Sequence, residues 1–287
     1  MTQTATIGQI ENAQNIVISK VRYTAESAAP NQHLIERFTL GKGEYQINVP
    51  KVGQVTFNAL TDGVDMVDEA DINMTYTALT TNEIGAKFVL TDKLIRQFNE
   101  DVFNMVGRQL GDGQARKVDK DIIALYAGFS TALGHATGTL GIQQAQACCV
   151  RAAADLYPAP ISFVHHPNAL GNLAKSAMAI GATYYAGILQ GLSEELLRSF
   201  FKIQVNGVNF FWDSNIALIA GATSAYGAIF SKSAMAMVES KAPYTERERD
   251  ASLRGWEVVM VHDYGVYEID DAYGASARYV ISALVTS

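Results

Sequence analysis

Alternating apolar and polar positions predict a series of β-strands between residues 45 and 90. The apolar positions of this alternation are Tyr45, Ile47, Val49, Val55, Phe57, Ile72, Met74, Tyr76, Ile84, Ala86, Phe88 and Leu90. Turn-forming residues separate the strands at Pro50, Gly53 and Asp62-Gly63. Because a two-stranded ribbon with few bulky side chains is marginally stable in water, we expect it to lie on a neighbouring subunit.

Apolar residues at helical spacing follow and predict a long helix over residues 92 to 127. Thr91 is the expected N-cap, and Asp92 places an acid in the first turn. The apolar stripe consists of Leu94, Ile95, Phe98, Val102, Met105, Val106, Ala115, Val118, Ile122, Leu125 and Phe129. Gly111 and Gly113 are expected to bend the helix between the two halves of the stripe. Its length of about 50 Å would make it a structural spine.

Helices and strands alternate in the middle of the chain, which is typical of an α/β block. Helices are predicted over residues 142 to 155 and 168 to 179, and Ser193 is expected to cap a third. The segment "ISFVHHP" predicts a short buried strand that ends at Pro167. We interpret "IQVNGVNFFW" as one further strand.

Strands dominate after residue 226, in the segments "AIFSKSAMAMV", "GWEVVMVHDYGVYEID" and "ARYVISALV". The second segment is expected to contain a turn at Asp263-Tyr264-Gly265. Residues 1 to 20 have neither a helix nor a strand period and predict an extended arm. The order of elements therefore predicts an α+β protein with an arm, a ribbon, a spine helix, an α/β block and closing strands.

The composition agrees with a folded protein that buries further surface against a partner, since 48% of its 287 residues are hydrophobic and 18% are charged. The formal net charge of -7 argues against a surface that binds nucleic-acid phosphates, because such binding depends on Lys and Arg. No apolar run is long enough to span a bilayer, and the N-terminus lacks the pattern of a signal peptide. We therefore expect the chain to be made and kept in the cytoplasm.

The adjacent histidines of "PISFVHHPNAL", His165 and His166, raise the question of a metal site or a catalytic pair. On a strand, neighbouring side chains point to opposite faces, so these two cannot form one ligand set. The sequence also has no HExxH and no CxxC motif. We therefore expect one histidine to cap the following Pro-Asn turn and the other to pack in the core.

Three further segments have a functional and a structural interpretation. The acidic run near the ribbon tip has enough carboxylates for Ca²⁺ or Mg²⁺ but lacks the spacing of a calcium loop, so a solvated tip is the alternative. Its members are Asp62, Asp65, Asp68, Glu69 and Asp71. "GDGQARK" lies inside a helical pattern rather than after a strand, which argues against a phosphate-binding loop. Cys148 and Cys149 are adjacent, and we expect two buried thiols.

The mixed-charge segment "TERERD", residues 245 to 250, is expected to be a solvated loop. The alternative is an ion-pair patch between subunits, because Arg247, Arg249 and Arg254 suit bidentate contacts with carboxylates.

The order and spacing of these elements resemble those of the major capsid proteins of tailed bacteriophages, which have the HK-97-like fold. The resemblance rests on the arm and ribbon, on "TDKLIRQFNEDVFNMVGRQLGDGQARKVDKDIIALYAG", on "YPAPISFVHHPNALGNLAKS", and on the strands from "GAIFSKSAMAMV" onward. It implies an N-terminal arm at 1–35, an extended β-ribbon or E-loop at 36–90, and a spine helix of the peripheral domain at 91–135. An axial α/β domain at 136–240 and closing strands at 241–287, which return to the peripheral domain, would follow.

The resemblance further implies a structural protein with no enzyme activity, no catalytic, cofactor-binding or metal-binding residues, and no cofactor. Copies of the chain would form hexamers and pentamers that close into an icosahedral head shell in the virion, after assembly in the host cytoplasm. The expected partners are a portal protein and packaged double-stranded DNA, bound without sequence specificity. A separate scaffolding protein and a decoration protein join them where the assembly uses them, and no membrane is expected.

Two features of some major capsid proteins are not inferred for this chain. No N-terminal scaffolding region of the kind that many relatives remove is visible, so we expect either a separate scaffolding protein or none. Some relatives form a crosslink between Lys and Asn, and Lys42 and Lys51 lie in the ribbon region, but nothing in the sequence shows either to be reactive.

Three alternatives belong to other classes. An encapsulin-type shell of a bacterial compartment would share the fold, but such proteins begin with a helical segment rather than an arm rich in Gln and Asn. An α/β enzyme would use His165, His166 or the acidic ribbon residues in a concave pocket. A tail or adhesion protein fits the long spine helix less well.

Overall fold

The computed structural model describes residues 30–53, 57, 59, 62–63, 74–97, 102–183 and 203–282. Its strands are β1 (Glu36–Thr39), β2 (Ile47–Val52), β3 (Met74–Leu79), β4 (Asn82–Thr91), β5 (Ala132–Gly134), β6 (Ile161–His165), β7 (Ile203–Val205), β8 (Val208–Trp212), β9 (Ser224–Ser231), β10 (Met235–Asp250), β11 (Gly255–Glu268) and β12 (Gly274–Val280). Its helices are α1 (Asp92–Gln97), α2 (Val102–Leu125), α3 (Ile142–Ala154) and α4 (Pro167–Thr183), with short 3-10 helices at Pro30–His33, Lys232–Ala234 and Asp271–Tyr273. This mixture agrees with the predicted α+β class.

A four-stranded sheet with the order β1-β10-β11-β4 packs against α2. Its central strand β11 pairs antiparallel with β10 and with β4, and β1 pairs parallel with β10. Val258 of β11 packs with Val106 and Leu110 of α2, and the Tyr264 hydroxyl donates a hydrogen bond of 2.6 Å to the Asp121 carboxylate. Because strand side chains alternate, the even-numbered residues of β11 face the helix.

A six-stranded sheet with the order β5-β12-β9-β6-β8-β7 carries the largest hydrophobic core. Phe163, Phe210 and Phe230 are almost completely buried there, and the rings of Phe163 and Phe210 stack with centroids 4.6 Å apart. α3 packs a face of small residues into this core: Ala145, Cys148, Cys149 and Ala152. Their spacing of three and four residues is that of one helix face.

The predicted spine helix is observed as α1 and α2, and residues 98–101 between them lie outside the described residues. The predicted N-cap is confirmed, because Thr91 Oγ1 accepts a hydrogen bond of 3.3 Å from the backbone N–H of Leu94. α2 has 24 residues, which corresponds to about 36 Å. Gly111 and Gly113 both lie within α2, and a bend at these positions stays a prediction. The third predicted helix, after Ser193, also lies outside the described residues.

Gln114 is a polar residue in the buried stripe of α2, halfway between Leu110 and Val118. Its Nε2 lies 2.7 Å from Nδ1 of His262 on β11, and Nε2 of His262 lies 2.9 Å from Oε1 of Glu239 on β10. The His262 side chain is buried, and buried polar groups require hydrogen-bond partners. This chain of hydrogen bonds therefore fixes the position of the helix along the sheet.

Two predictions about strands are wrong. β11 has no turn at Asp263-Tyr264-Gly265, because Tyr264 pairs with Glu239 on one side and with Asn82 on the other. The segment "IQVNGVNFFW" is a hairpin of β7 and β8 rather than one strand. Asn206 and Gly207 form its turn with φ angles of 48° and 82°, as Asn-Gly does in two-residue hairpin loops.

The loop predicted for residues 245 to 250 is also wrong, since these residues form the end of β10. They are ordered as a strand because they pair with β11 from Thr245 to Asp250. Within the subunit, Arg249 lies 3.2 Å from the Asp92 carboxylate at the start of α1. Contacts of Arg247 and Arg254 with another subunit stay a prediction.

β4 was predicted as a ribbon strand, but it pairs with β11 and leaves β2 and β3 as the ribbon. The last strands divide between the sheets, since β11 belongs to the four-stranded sheet and β12 to the six-stranded one. Where β3 turns into β4, the chain passes close to Gly265: a Cβ on Gly265 would lie 2.1 Å from the carbonyl oxygen of Thr80. This close approach explains a glycine inside a strand.

We expect Gly265→Ala to lower the free energy of unfolding by about 2 kcal/mol or more, because the backbone at Thr80 would have to move. Gly111→Ala is the matched control, because nothing lies within 4 Å of its added Cβ. It should be neutral or stabilise α2 by up to about 1 kcal/mol. Urea unfolding followed by circular dichroism measures both, and equal effects of the two substitutions would contradict the expected close contact.

Candidate functional site

His165 and His166 lie where the sequence predicts, at the end of the buried strand β6. His165 is fully buried, with its ring centroid 6.2 Å from that of Phe163 and 5.9 Å from that of Tyr279. His166 follows the strand, and its Nδ1 accepts a hydrogen bond of 3.1 Å from the backbone N–H of Asn168 in the first turn of α4. The prediction of one core histidine and one turn cap is confirmed.

The surroundings of His165 keep its ring neutral. Burial, together with the smaller effect of the nearby His166, lowers the pKa of His165 to about 3. Its Nδ1 accepts a hydrogen bond of 2.8 Å from the backbone N–H of His166. Gly227 makes room for the ring, because a Cβ there would lie 2.4 Å from Cδ2 of His165. The arrangement is a packed core position, and it does not form the catalytic pair of the enzyme alternative.

The remaining sequence candidates have structural roles where the structure describes them. "GDGQARK" lies within α2, and Cys148 and Cys149 are the buried free thiols predicted. Burial raises the pKa of Cys149 to about 11, which disfavours the reactive thiolate. Of the acidic run, Asp62 is described and the other four residues lie outside the described residues. Within the described ranges, no group of three or more His, Cys, Asp or Glu residues is arranged to hold a metal ion.

The helices that the structure describes include none with the length and apolar character needed to cross a membrane.

The ribbon of β2 and β3 has two different faces. Cross-strand pairs place Ile47 opposite Leu79 and Val52 opposite Met74. Because successive residues alternate, Ile47, Val49 and Leu79 share one face, and they pack with Ala236 and Val238 of the four-stranded sheet. The other face carries large apolar side chains with high exposed fractions: Val52 with 59%, Met74 with 64% and Tyr76 with 69%.

Two exposed aromatic residues lie near the ribbon strands in the sequence. Tyr45 precedes β2 and is 81% exposed, and Phe57 lies beyond the paired strands and is 94% exposed. We call Val52, Met74 and Tyr76, which share the outer face, the outer ribbon residues. A group of exposed large apolar side chains of this kind marks a surface for another macromolecule. The outer ribbon residues are therefore the candidate functional site.

An ion pair fixes the base of the ribbon to the body of the subunit. Nζ of Lys51 on β2 lies 2.5 Å from Oδ1 of Asp270, and Asp270 accepts a hydrogen bond of 3.0 Å from the N–H of Ala272 in the short helix that follows. The neighbouring Asp271 accepts a hydrogen bond of 2.8 Å from the backbone N–H of Ser130, shortly after α2. Lys51 therefore positions the ribbon relative to the end of α2.

Sequence reasoning missed a buried polar cluster beside the C-terminal half of α2. Its members, which we call the arm-root cluster, are Asn31, Asp119, Tyr126, Asp213 and Asn215. They come from three separate segments, so no local spacing connects them. Asp119, next to the buried Val118, is the one local signal of a polar partner on this side of α2.

Comparisons with known proteins agree on a family and a fold. Residues 75–277 match the family model described as phage capsid protein. The capsid of Helicobacter pylori bacteriophage KHP30 is similar with a TM-score of 0.73 at 10% identity, over 98% of this chain and 100% of that chain. The capsid of the cyanophage P-SCSP1u gives 0.67 at 14% identity over 94% of each chain. The capsid of a native GTA particle gives 0.68 at 13% identity over 96% and 99%. Among curated proteins, none matches this chain.

The lowered pKa of His165 predicts a pH-dependent stability. Its ordinary value is 6.5 and the folded value is about 3, so the unfolded chain binds a proton between these values and the folded chain does not. Neutral His165 makes its full contribution to the free energy of unfolding above pH 6.5. As the pH falls from 6.5 toward 3, the free energy of unfolding decreases by up to about 1.4 kcal/mol per pH unit. We expect this loss, measured by urea unfolding, to be absent in His165→Gln.

His135→Gln is the control for this experiment, because His135 is exposed. It should leave the pH dependence of the wild-type chain unchanged. A constant difference between the wild type and His165→Gln at all pH values would contradict the buried neutral state of His165.

Proposed function

The chain belongs to the phage capsid protein family, and we propose that its copies form the hexamers and pentamers of a head shell around a double-stranded DNA genome. It is a major capsid protein with the HK-97-like fold and a subunit of an icosahedral shell. The family is one of structural proteins, and we propose no catalytic, metal-binding or cofactor-binding residue.

The exposed face of the ribbon is the observation that carries the proposed assembly. The inner face of the ribbon packs on its own subunit and Lys51 pairs with Asp270, whereas the outer ribbon residues face away from this packing. A two-stranded ribbon is marginal by itself in water, and the centres of interfaces between identical chains are apolar and rich in aromatic residues. We infer that the outer ribbon residues lie on the body of a neighbouring copy.

We propose the remaining partners from the role of the chain as a major capsid protein. Packaged double-stranded DNA would contact the shell without sequence specificity, and the net charge of -7 supports this because a negative wall does not retain phosphates. A portal protein would complete the shell, with a separate scaffolding protein and a decoration protein where the assembly uses them. We propose that assembly takes place in the host cytoplasm and that the product is the virion.

For the assembled subunit we also propose the division expected from the sequence. It consists of the arm at 1–35, the E-loop at 36–90, the spine helix at 91–135, the axial domain at 136–240 and the closing strands at 241–287. An encapsulin-type compartment shell would use the same fold, but the phage capsid match over residues 75–277 does not favour it.

Assembly of the full chain tests the proposed function. We expect sedimentation velocity and electron microscopy of the chain made in bacteria, with a scaffolding partner where one is needed, to show closed shells or rings of five and six copies. Deleting residues 1–29, which keeps Asn31, should reduce the yield of closed shells. A monomer that stays unchanged with or without the arm and any such partner would overturn the proposal.

The outer ribbon face has its own prediction. Tyr76→Glu should abolish or strongly reduce shell formation, because it places a charge in an apolar interface. The circular dichroism and the unfolding midpoint should stay close to those of the wild type, because Tyr76 is 69% exposed. Tyr76→Phe keeps the apolar ring and should assemble normally. Normal shells from Tyr76→Glu would show that this face is not an interface.

A further inference from the structure

The arm-root cluster joins three parts of the chain that are distant in sequence. Asn31 lies in the short helix Pro30–His33, directly after the N-terminal 29 residues, Asp119 lies in α2, and Asp213 follows β8. These three side chains belong to residues that are at most 1% exposed. The side-chain amide at the root of the arm is therefore held inside the subunit, between a helix and the six-stranded sheet.

The hydrogen bonds fix the orientation of the Asn31 amide. The Tyr126 hydroxyl donates a hydrogen bond of 2.9 Å to Asn31 Oδ1, so Asn31 Nδ2 points toward the carboxyl groups. This nitrogen lies 2.9 Å from Asp119 Oδ1 and 2.6 Å from Asp213 Oδ2. Two buried carboxyl groups consequently meet at one nitrogen atom.

The donors around the two carboxyl groups are neutral. Asn215 supplies its backbone N–H to Asp213 Oδ1 at 2.8 Å and its side-chain Nδ2 to Asp119 Oδ2 at 2.8 Å. Neutral donors do not offset two buried negative charges that meet at one amide. Burial, followed by a hydrogen bond with Asp119, raises the pKa of Asp213 to about 8. A proton that Asp213 donates to Asp119 converts repulsion into a hydrogen bond.

Three further charged or titratable residues lie on the elements that carry the cluster. Arg116 and Lys120 flank Asp119 along α2, and His33 lies on the short helix of Asn31; all three are exposed. Tyr126 is the titratable group that donates to Asn31, and burial, Asp119 and Asp213 raise its pKa well above its ordinary value. Tyr126 therefore stays a neutral donor while Asp213 titrates.

We propose that the proton shared by Asp213 and Asp119 is a latch on the root of the N-terminal arm, and that a rising pH loosens this latch. With the proton, Asn31 is held by a neutral, hydrogen-bonded pair. Without it, two anions meet at one amide, and separation of the three segments with entry of water is favoured. The latch lies within one subunit, so it does not depend on the proposed shell.

The direction of the effect follows from linkage. In the open cluster a solvated Asp213 has its ordinary pKa of 3.8, so opening releases a proton at neutral pH. Opening therefore becomes more favourable as the pH rises from about 4 to about 8, and it levels off above that. The latch is therefore strongest at pH about 4 and below.

Hydrogen–deuterium exchange of the full chain tests the latch in peptides that cover residues 31–40. The exchange rates of the wild type and of Asp213→Asn are compared at each pH from about 5 to about 9.5. The intrinsic rate of amide exchange also changes with pH, but it is the same for both proteins at a given pH and cancels in their ratio. We expect the ratio of the wild-type rate to the variant rate to rise by up to about tenfold per pH unit and to level off above pH about 8. Peptides from β9 should show no such rise.

Two further variants keep the result interpretable. Asp155→Asn removes the acid of a surface ion pair with Arg151 and should behave like the wild type. Asn31→Ala should exchange fast at every pH, because it removes the contact itself. A ratio that stays flat with pH, or slow exchange in Asn31→Ala, would overturn the latch. Should Asp213→Asn fail to fold, Asp119→Asn removes the same shared proton, and the same two outcomes decide.

Discussion

The buried stripe of α2 is the constraint on which both layers of the subunit depend. Its positions recur every four residues, whereas a turn of helix takes about 3.6, so each step rotates the stripe by about 40°. From Val106 to Ile122 the rotation reaches about 160°. Val106 and Leu110 accordingly pack on the four-stranded sheet, while Val118 and Ile122 belong to the core of the six-stranded sheet. One helix thus contributes to two cores because its apolar stripe winds around it.

Apolar packing along such a stripe leaves the position of the helix poorly specified, since neighbouring apolar residues can exchange places at small cost. Polar partners remove this freedom. Gln114 meets His262 near the middle of α2, and Asp119 meets Asn31 and Asn215 five residues further along the chain. A shift of one turn would leave the buried side chains of His262, Asp119 and Asn31 without these partners. An unpaired buried polar group costs more than a typical hydrogen bond contributes. Specificity here comes from few polar residues in a mostly apolar core.

Features that depend on neighbouring residues could be predicted from the sequence, and contacts between distant segments could not. The Thr91 cap and the strand before His165 are encoded within a few residues, and both are observed. The hairpin turn at Asn206-Gly207 also depends on neighbouring residues only. It was missed in the sequence because the apolar run on both sides of the turn suggested a single strand. The arm-root cluster joins residues 88 to 182 positions apart, and the folded chain alone brings them together.

The ribbon has one face that packs within the subunit and one face that remains exposed. Alternation in β2 and β3 places Ile47 and Leu79 on the subunit, and it places Met74 and Tyr76 outward by the same geometry. When the side chains on one face of a strand are buried, the side chains on the other face therefore point outward. If the outward side chains were polar, water could hydrate them and the ribbon would need no partner. Because they are apolar, we propose that a second copy covers them in the shell. Folding of the ribbon and association of subunits would then be parts of one equilibrium.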